Sequence, residues 1–210
     1  MKENPALRNG SGSGIIGTMM GQEEDMEYFA VLDTETNWDN AVMSIGIAVA
    51  EAGSFRPVET FYSILTPEYR TGGMYDSVLE LPEPERIRVG TRREVLGQLC
   101  RLLEALGVEK LFAYNARFDK GHLPELGQFD WYDIMRIAAY RQHNPAIPED
   151  ALCCSTGRLK RCYGVEPMLR LLSGNPGYRE THNALYDAMD ELKIMELLAL
   201  PLEGYTCARI

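Results

Sequence analysis

The chain has 210 residues, of which 45% are hydrophobic and 25% are charged, and its formal net charge at pH 7 is −10. This composition predicts one globular domain with a sizeable core, and no apolar run approaches the roughly 18 residues that a membrane span needs. The negative charge argues against a protein that holds nucleic acid on a broad basic surface. It leaves open an enzyme that grips phosphates through bound metal ions.

Residues 1–26 lack apolar periodicity and are predicted to form a flexible N-terminal tail. They include GSGIIG, Gly12 to Gly17, a formal G-x-G-x-x-G pattern. A dinucleotide loop needs a preceding strand and a following helix, and this stretch shows neither, so a nucleotide-binding protein built on it is the weakest functional hypothesis. No secretory signal is evident here, and the five cysteines then predict reduced thiols in a cytoplasmic protein.

Order is expected to begin near Tyr28 and to give a single α/β domain over residues 27–200, built on a mixed five-stranded sheet flanked by helices. Residues 67–85 are predicted to be a loop, and residues 201–210 a C-terminal tail. The predicted strands are 28–34, 42–51, 57–66, 111–115 and the start of 132–141. The predicted helices are 92–106, 117–126, 155–162 and 183–198, with Ser155 capping the third and Gly164 closing it.

Two carboxylates follow the first apolar run, in FAVLDTETN from Phe29 to Asn37. Side chains two residues apart in a strand point to the same face, so Asp33 and Glu35 are expected to project together at a strand end. Such a pair repels by about 4 kcal/mol at an effective dielectric constant of about 20. A hard divalent cation between them is the natural counter-charge, because Mg²⁺ and Mn²⁺ prefer oxygen ligands.

A second acidic residue follows the predicted strand LFAYN. Asn115 stands at the strand end and Asp119 in the helix that comes next, where ligand groups gather in an open α/β sheet. Asp119 is therefore a candidate to face Asp33. A surface aspartate near a helix N-terminus is the alternative.

The third site is His182-Asn183-Ala184-Leu185-Tyr186-Asp187. The segment reads as a loop that feeds an amphipathic helix, with His182 at the entrance and Asp187 little more than one turn inside. Asp190 and Glu191 are predicted to lie on the solvated side of this helix. A structural or cap-like role for His182 is the alternative.

Taken together, Asp33-Thr-Glu35, Asn115-x-x-x-Asp119 and His182-x-x-x-x-Asp187 resemble the three exonuclease motifs of the DEDD superfamily, in its DEDDh branch. That branch includes the proofreading epsilon subunit of bacterial DNA polymerase, ribonuclease T and oligoribonuclease. The likeness covers about residues 27–199. One departure from the family is Thr36-Asn37-Trp38, where epsilon-type proteins carry a turn with glycine. The loop 67–91 and the insert 164–181 are further segments that do not resemble the family.

The resemblance implies a ribonuclease-H-like fold and metal-dependent 3′–5′ hydrolysis of single-stranded DNA or RNA, with release of nucleoside 5′-monophosphates. It implies that Asp33, Glu35, Asp119 and Asp187 hold two divalent cations, Mg²⁺ or Mn²⁺, about 4 Å apart. His182 is the implied general base, because an imidazole can take a proton at neutral pH.

The implied substrate contacts lie around these motifs. Trp38 and Phe118 are candidates to stack on bases, with core packing as the alternative. Thr34, Thr36 and Asn115 are further candidates for contact with the terminal nucleotide. The rival hypothesis is a catalytically silent module on the same fold that binds nucleic acid or docks on a polymerase; a polymerase or a second copy of the chain is a further candidate partner.

Overall fold

The computed structural model describes residues 26–210, and the predictions made for residues 1–25 lie outside that part. Six strands of the described chain form one mixed sheet in the order β4-β3-β2-β1-β5-β6. The strands are β1 (Tyr28–Thr36), β2 (Val42–Glu51), β3 (Pro57–Leu65), β4 (Ile87–Gly90), β5 (Lys110–Ala113) and β6 (Asp130–Asp133). The α-helices are α1 (Arg92–Ala105), α2 (Arg117–His122), α3 (Met135–Ala138), α4 (Val165–Ser173) and α5 (Ala184–Leu198).

The centre of the sheet is an antiparallel meander of β1, β2 and β3, to which β4, β5 and β6 add parallel neighbours. Every residue of β2 is buried, because other elements cover both of its faces. This explains why its sequence, VMSIGIAVAE, is a nearly continuous apolar run rather than an alternating one.

Two apolar layers sandwich the sheet. On one face, Phe29 and Val31 of β1 share a core cluster with Leu192 of α5. On the other face, Leu32 packs in a cluster with Leu99 of α1. Asp33 and Glu35 continue the row of Phe29 and Val31, so the strand directs both carboxylates toward the side of α5, as the period of two predicts. No helix within residues 26–210 has the length and apolarity to cross a membrane.

The prediction of five strands is wrong, because it missed β4. This strand has four residues, and Val89 within it is 62% exposed. A short 3₁₀ turn, Pro84–Arg86, leads directly into it. So short an edge strand shows no alternation that could be told from loop sequence.

The predicted helix at 155–162 is also wrong. This segment forms turns and isolated bridges, in which Cys153 pairs with Leu159. Gly157 has a φ angle of 89° and Cys162 one of 55°, and neither value is compatible with a right-handed helix. Gly164, which was read as the end of that helix, instead precedes the first residue of α4.

Residues 201–210 are not the loose tail that was predicted. Leu202–Ala208 form a 3₁₀ helix whose side chains at 202, 205 and 208 are buried, a spacing that matches its period of three residues. The amide of Ile210 then donates a hydrogen bond of 3.0 Å to the Trp131 carbonyl on β6.

Gly46 sets how closely α5 approaches the sheet. It lies in β2, opposite Asp33 of β1. A Cβ atom at this position would lie 2.1 Å from the carbonyl carbon of Ala184 and 2.2 Å from the amide nitrogen of Leu185. The backbone at the start of α5 therefore rests directly on the backbone of β2, which brings the first turn of α5 beside the carboxylates of β1.

Replacing Gly46 by Ala should lower the free energy of unfolding by about 1–3 kcal/mol or more, because the added methyl group overpacks a backbone contact that cannot yield. The matched control is Gly97→Ala in α1, where a Cβ atom would meet only the Arg101 side chain, at 3.6 Å. That change should stabilise the protein by about 0.5–1 kcal/mol. Chemical unfolding followed by circular dichroism measures both, and equal stabilities of the two variants would contradict the close approach.

Candidate active site

The first acidic motif ends β1, as predicted. Glu35 is 9% exposed, and Asp33 is partly buried. The Oδ2 atom of Asp33 is enclosed and accepts no hydrogen bond from any described residue. In register, Asp33 faces Gly46 and Glu35 faces Ser44, two residues without bulky side chains. The space that a side chain at position 46 would fill is occupied by the backbone at the start of α5.

The second motif reaches the first through a hydrogen bond. Thr34 Oγ1 donates to Asp119 Oδ1 at 2.7 Å, and Asp119 in α2 is 2% exposed. The turn before α2 is held by Asp133, whose Oδ1 accepts from the amides of Asn115 and Met135 at 3.0 and 3.1 Å. Asp119 therefore contacts Thr34 at the end of β1, and its charge also raises the pKa of Asp33, which it was predicted to face.

The third motif starts α5. Asn183 caps the helix, since its side-chain oxygen accepts from the amide of Leu185 at 3.1 Å. His182 lies just before the cap, with a φ angle of 60°. Glu35, His182 and Asp187 each offer a ligand atom, and these atoms lie within 4.8 Å of one another. Two motifs that are far apart in the sequence thus meet at one point.

Burial dominates the electrostatics of these carboxylates. The pKa values of Glu35 and Asp187 are each raised to about 8. Burial is the largest cause, and neighbouring carboxylates contribute to the same rise. Burial raises the pKa of Asp119 to about 7, although the hydrogen bond from Thr34 acts in the opposite direction. The pKa of Asp33 is raised well above its ordinary value, by burial first and by Asp119 next.

The donors present fit divalent metal ions. Asp187 Oδ1, like Asp33 Oδ2, is buried and has no hydrogen-bond partner among the described residues. Buried carboxylate oxygens without a partner are unfavourable unless a cation or a proton compensates them. A set of carboxylate oxygens at one point is the donor chemistry that Mg²⁺ and Mn²⁺ prefer.

Two further carboxylates belong to this environment, and sequence reasoning missed both. Glu191 was predicted to lie on the solvated side of α5, which is wrong. It is 2% exposed, and its Oε2 accepts from the amide of Tyr114 at 2.9 Å. Glu180 is partly buried beside His182, and burial raises its pKa. Glu191 lies three residues after Ala188 and four before Met195, so helical spacing does place it on the buried face of α5, and its charge led to the wrong prediction. No periodicity marks Glu180, which precedes α5.

Asp190, also assigned to the solvated side, is partly buried and accepts a hydrogen bond from the Tyr178 hydroxyl. The segment between α4 and α5 therefore covers the polar face of α5 at Asp190, whereas Lys193 and Glu196 farther along the helix stay exposed. Asp190 and Tyr178 hold this covering segment against the helix.

An open cavity of about 370 Å³ adjoins Glu35. Of the five residues predicted to contact the terminal nucleotide, four line it, and Asn115 does not. Trp38 is 66% exposed and Phe118 is 40% exposed, so neither is core packing. The lining residues are Thr34, Glu35, Thr36, Asn37, Trp38, Asn40, Met74, Tyr75 and Phe118. Sequence reasoning missed Met74 and Tyr75, which come from the region predicted to be a structureless loop.

In the absence of metal, the raised pKa values should make the folded state less stable as the pH rises. An unfolded carboxyl group releases its proton near pH 4, whereas Asp119 keeps its proton up to a pKa of about 7 and Glu35 and Asp187 up to about 8. Their contribution to folding is therefore fully present below about pH 4 and is lost between about pH 4 and pH 8.

Chemical unfolding in EDTA at pH 5, 6, 7 and 8 tests this. Glu35→Gln should flatten the decline relative to the unsubstituted protein, because it removes one group that must ionise. Glu149→Gln, at an exposed position, should leave the decline unchanged. A decline of the same slope in Glu35→Gln would show that Glu35 is not held protonated.

Comparison with solved structures identifies the fold. Exonuclease X, in complex with 5′ overhanging duplex DNA, matches with a TM-score of 0.54 and 19% identity, over 86% of this chain and 98% of that chain. The nuclease domain of 3′hExo, a DEDDh family member bound to rAMP, matches with a TM-score of 0.57 and 14% identity, over 82% of this chain and 92% of that chain.

Exonuclease I of E. coli, in complex with a dA16 oligonucleotide, matches with a TM-score of 0.51 and 13% identity, over 84% of this chain and 41% of that chain. Neither a protein-family model nor a curated protein sequence matches. The chain therefore has the ribonuclease-H-like α/β fold of the DEDDh exonucleases.

Proposed function

We propose that residues 27–200 are a metal-dependent 3′–5′ exonuclease domain that hydrolyses single-stranded DNA or RNA from the 3′ end and releases nucleoside 5′-monophosphates. The observation that carries the proposal is the meeting of Glu35, His182 and Asp187 within 4.8 Å beside an open cavity. The fold supports it, since solved structures that share the fold include a DEDDh nuclease domain bound to rAMP and an exonuclease bound to an oligonucleotide.

Asp33, Glu35, Asp119 and Asp187 are the residues that would hold two divalent cations, Mg²⁺ or Mn²⁺. When bound, such ions polarise the scissile phosphate and make a neighbouring water more acidic. The four carboxylate charges match the four positive charges of the two ions. In this assignment the bound cations are the partners of Asp33 Oδ2 and Asp187 Oδ1, which have no hydrogen-bond partner within residues 26–210.

His182 acts as the general base. Its ring lies beside Glu35 and Asp187 and is partly exposed, so it can reach a water that enters from the cavity side. It removes one proton from this water as the new bond from oxygen to phosphorus forms. The bond from phosphorus to the 3′ oxygen of the preceding nucleotide breaks, and that oxygen takes a proton from solvent. The products are a nucleoside 5′-monophosphate and a strand with a new 3′-hydroxyl.

The cavity beside Glu35 receives the terminal nucleotide. Trp38 and Phe118 stand exposed on its wall, where an unpaired base can stack on an aromatic ring. The Thr34 hydroxyl already donates to Asp119, so we assign Thr34 to holding the carboxylates and not to binding the nucleotide. Asn115 is exposed outside the cavity, and a contact with a second nucleotide is the role left to it.

The silent-module hypothesis is less well supported. A module that only binds or docks has no need to enclose Asp33 Oδ2 and Asp187 Oδ1 without a hydrogen-bond partner among residues 26–210, an arrangement that opposes folding. All four carboxylates and His182 are present in the chain, and Glu35, His182 and Asp187 offer ligand atoms within 4.8 Å of one another. Activity in Mg²⁺ and its loss in EDTA separate the two hypotheses directly.

Millimolar Mg²⁺ or Mn²⁺ should raise the melting temperature. Binding at 100 times the dissociation constant adds about 2.7 kcal/mol of stability, which corresponds to about 5–10 °C for a domain of this size. Asp33→Asn should blunt the rise because it removes one ligand charge, and Glu149→Gln should not. Differential scanning fluorimetry with Mn²⁺ and with EDTA measures this, and an identical melting curve in both would count against the metal site.

Linear single-stranded oligonucleotides with a free 3′-hydroxyl should yield mononucleotides from the first time point. A 3′-phosphate should block cleavage, because it adds charge and bulk beside Asp33 and Glu35, and a 5′ block should have little effect. His182→Ala should reduce turnover by about 10²–10⁴-fold while keeping the stabilisation by Mn²⁺. His143→Ala serves as the histidine control.

Chromatography of the products gives both the direction and the rate of cleavage. Internal cleavage of a circular single strand would exclude an exonuclease, because a circle has no end. Full turnover by His182→Ala would require another base.

A further inference from the structure

Residues 67–81, here called the bridging segment, contact two parts of the site at once. At one end they hold the turn after β1. The Trp38 amide donates to the Gly72 carbonyl at 3.0 Å, and the Asn37 side chain donates to the Glu68 carbonyl at 2.9 Å. The wall of the cavity that carries Trp38 is therefore attached to the bridging segment by two hydrogen bonds.

Glycine at position 73 permits this attachment. Gly73 pairs with Asn37 in an isolated bridge. A Cβ atom on Gly73 would lie 2.7 Å from the Thr36 carbonyl oxygen and 2.9 Å from Met43 Cε. The bridging segment thus lies directly against the end of β1, with no room for a side chain between them.

At its other end, the bridging segment holds the entrance of α5. The Asn183 side chain donates to the Val78 carbonyl at 2.6 Å and to the Tyr62 hydroxyl at 3.1 Å. The Tyr62 hydroxyl in turn donates to the Leu79 carbonyl at 2.8 Å. Asn183 is fully buried, and it is the residue that follows His182. The segment that supports the cavity wall therefore also supports the backbone next to the general base.

Tyr75 lies between these two attachments and stacks on His182. The two ring centroids are 4.2 Å apart, and the ring planes differ by 18°. Tyr75 is partly buried and also lines the cavity beside Glu35. The face of Tyr75 that meets the imidazole is therefore not available to a nucleobase.

His182 needs such support because its own backbone provides little. It precedes the helix cap, with a φ angle of 60°, and its side chain is only partly buried. A partly exposed ring in a loop can occupy several rotamers, and a base that is displaced from the reacting water loses rate. A stacked aromatic ring removes most of these rotamers.

We propose that Tyr75 is a positioning residue that holds the His182 imidazole in its working orientation, and that the bridging segment holds Tyr75 in place for this role. The proposal rests on the exonuclease function proposed above. Tyr75 acts through His182 and does not contact the reacting atoms. Its loss should therefore lower kcat and leave KM nearly unchanged.

Three variants test the role of Tyr75. Tyr75→Leu removes the stack and should lower kcat about three- to tenfold, the effect of losing one aromatic pair, with KM changed by less than about twofold. Tyr75→Phe keeps the ring and should restore kcat to within about twofold. Tyr69→Leu is the matched control, because Tyr69 packs against the same apolar cluster and makes no contact with His182.

Steady-state kinetics on a linear oligonucleotide in Mg²⁺ distinguishes the outcomes. A raised KM with unchanged kcat in Tyr75→Leu would make Tyr75 a platform for a base and would overturn the proposal. Equal kcat values in Tyr75→Leu and Tyr69→Leu would reduce Tyr75 to ordinary packing and would overturn it as well.

A second measurement does not depend on activity. The ring protons of His182 should resonate upfield in a proton–carbon NMR spectrum, because they lie over the face of Tyr75, and the signal is assigned by its loss in His182→Ala. Tyr75→Leu should move this signal downfield, whereas Tyr75→Phe and Tyr69→Leu should not. The signal of His122, which lies 4.3 Å from the Phe118 ring, is the internal control.

The two measurements separate the two proposals. If the chain cleaves no oligonucleotide in Mg²⁺ or Mn²⁺, the proposed function fails, and the NMR spectrum still reports whether Tyr75 orients His182. If the chain cleaves an oligonucleotide but the His182 signal does not move in Tyr75→Leu, the positioning role of Tyr75 is wrong and the proposed function stands.

Discussion

The burial of carboxylates that also repel one another is the constraint on which this structure depends. Asp33, Glu35, Asp119 and Asp187 meet at one end of the sheet, with Glu191 enclosed nearby. Two ionised carboxylates 4 Å apart repel by about 4 kcal/mol at an effective dielectric constant of about 20. The folded protein lowers this repulsion by keeping protons that free carboxyl groups would release, and bound cations would remove it altogether. Contacts elsewhere in the fold must offset the repulsion that remains. They do so by holding together the backbone segments that carry the carboxylates.

Each motif is held by a contact that comes from another part of the chain. The Thr34 hydroxyl joins the end of β1 to Asp119 in α2. Gly46 has no side chain, so the start of α5 packs directly against the sheet. The Asn183 side chain donates a hydrogen bond that joins the start of that helix to the bridging segment. Glu191 accepts from the amide of Tyr114, so the same helix is also fastened to the end of β5. These contacts bring the carboxylates together. None of them involves the side chain of His182 or of Asp187.

The strand and helix periods predicted those features of the site that depend only on residues close together in the sequence. The shared face of Asp33 and Glu35 follows from the strand period, and the place of Asp187 one turn inside α5 follows from the helix period. Glu191 was misassigned because it is charged, although helical spacing places it with Ala188 and Met195 on the buried face of α5. Tyr75 was not predicted because the bridging segment has no periodicity. Its stack on His182 depends on tertiary contacts alone. The short strand β4 was lost for a related reason, since four residues carry too little pattern to identify a strand.

The chain order of the motifs has a consequence for protein synthesis. Asp33, Glu35 and Asp119 leave the ribosome early, whereas His182 and Asp187 arrive with the last α-helix of the fold. Chains emerge from their N-terminus, and domains generally fold as units. On the proposed function, a ribosome-bound chain that ends before α5 has neither its general base nor its fourth carboxylate. On that proposal, the chain remains inactive until α5 has left the ribosome.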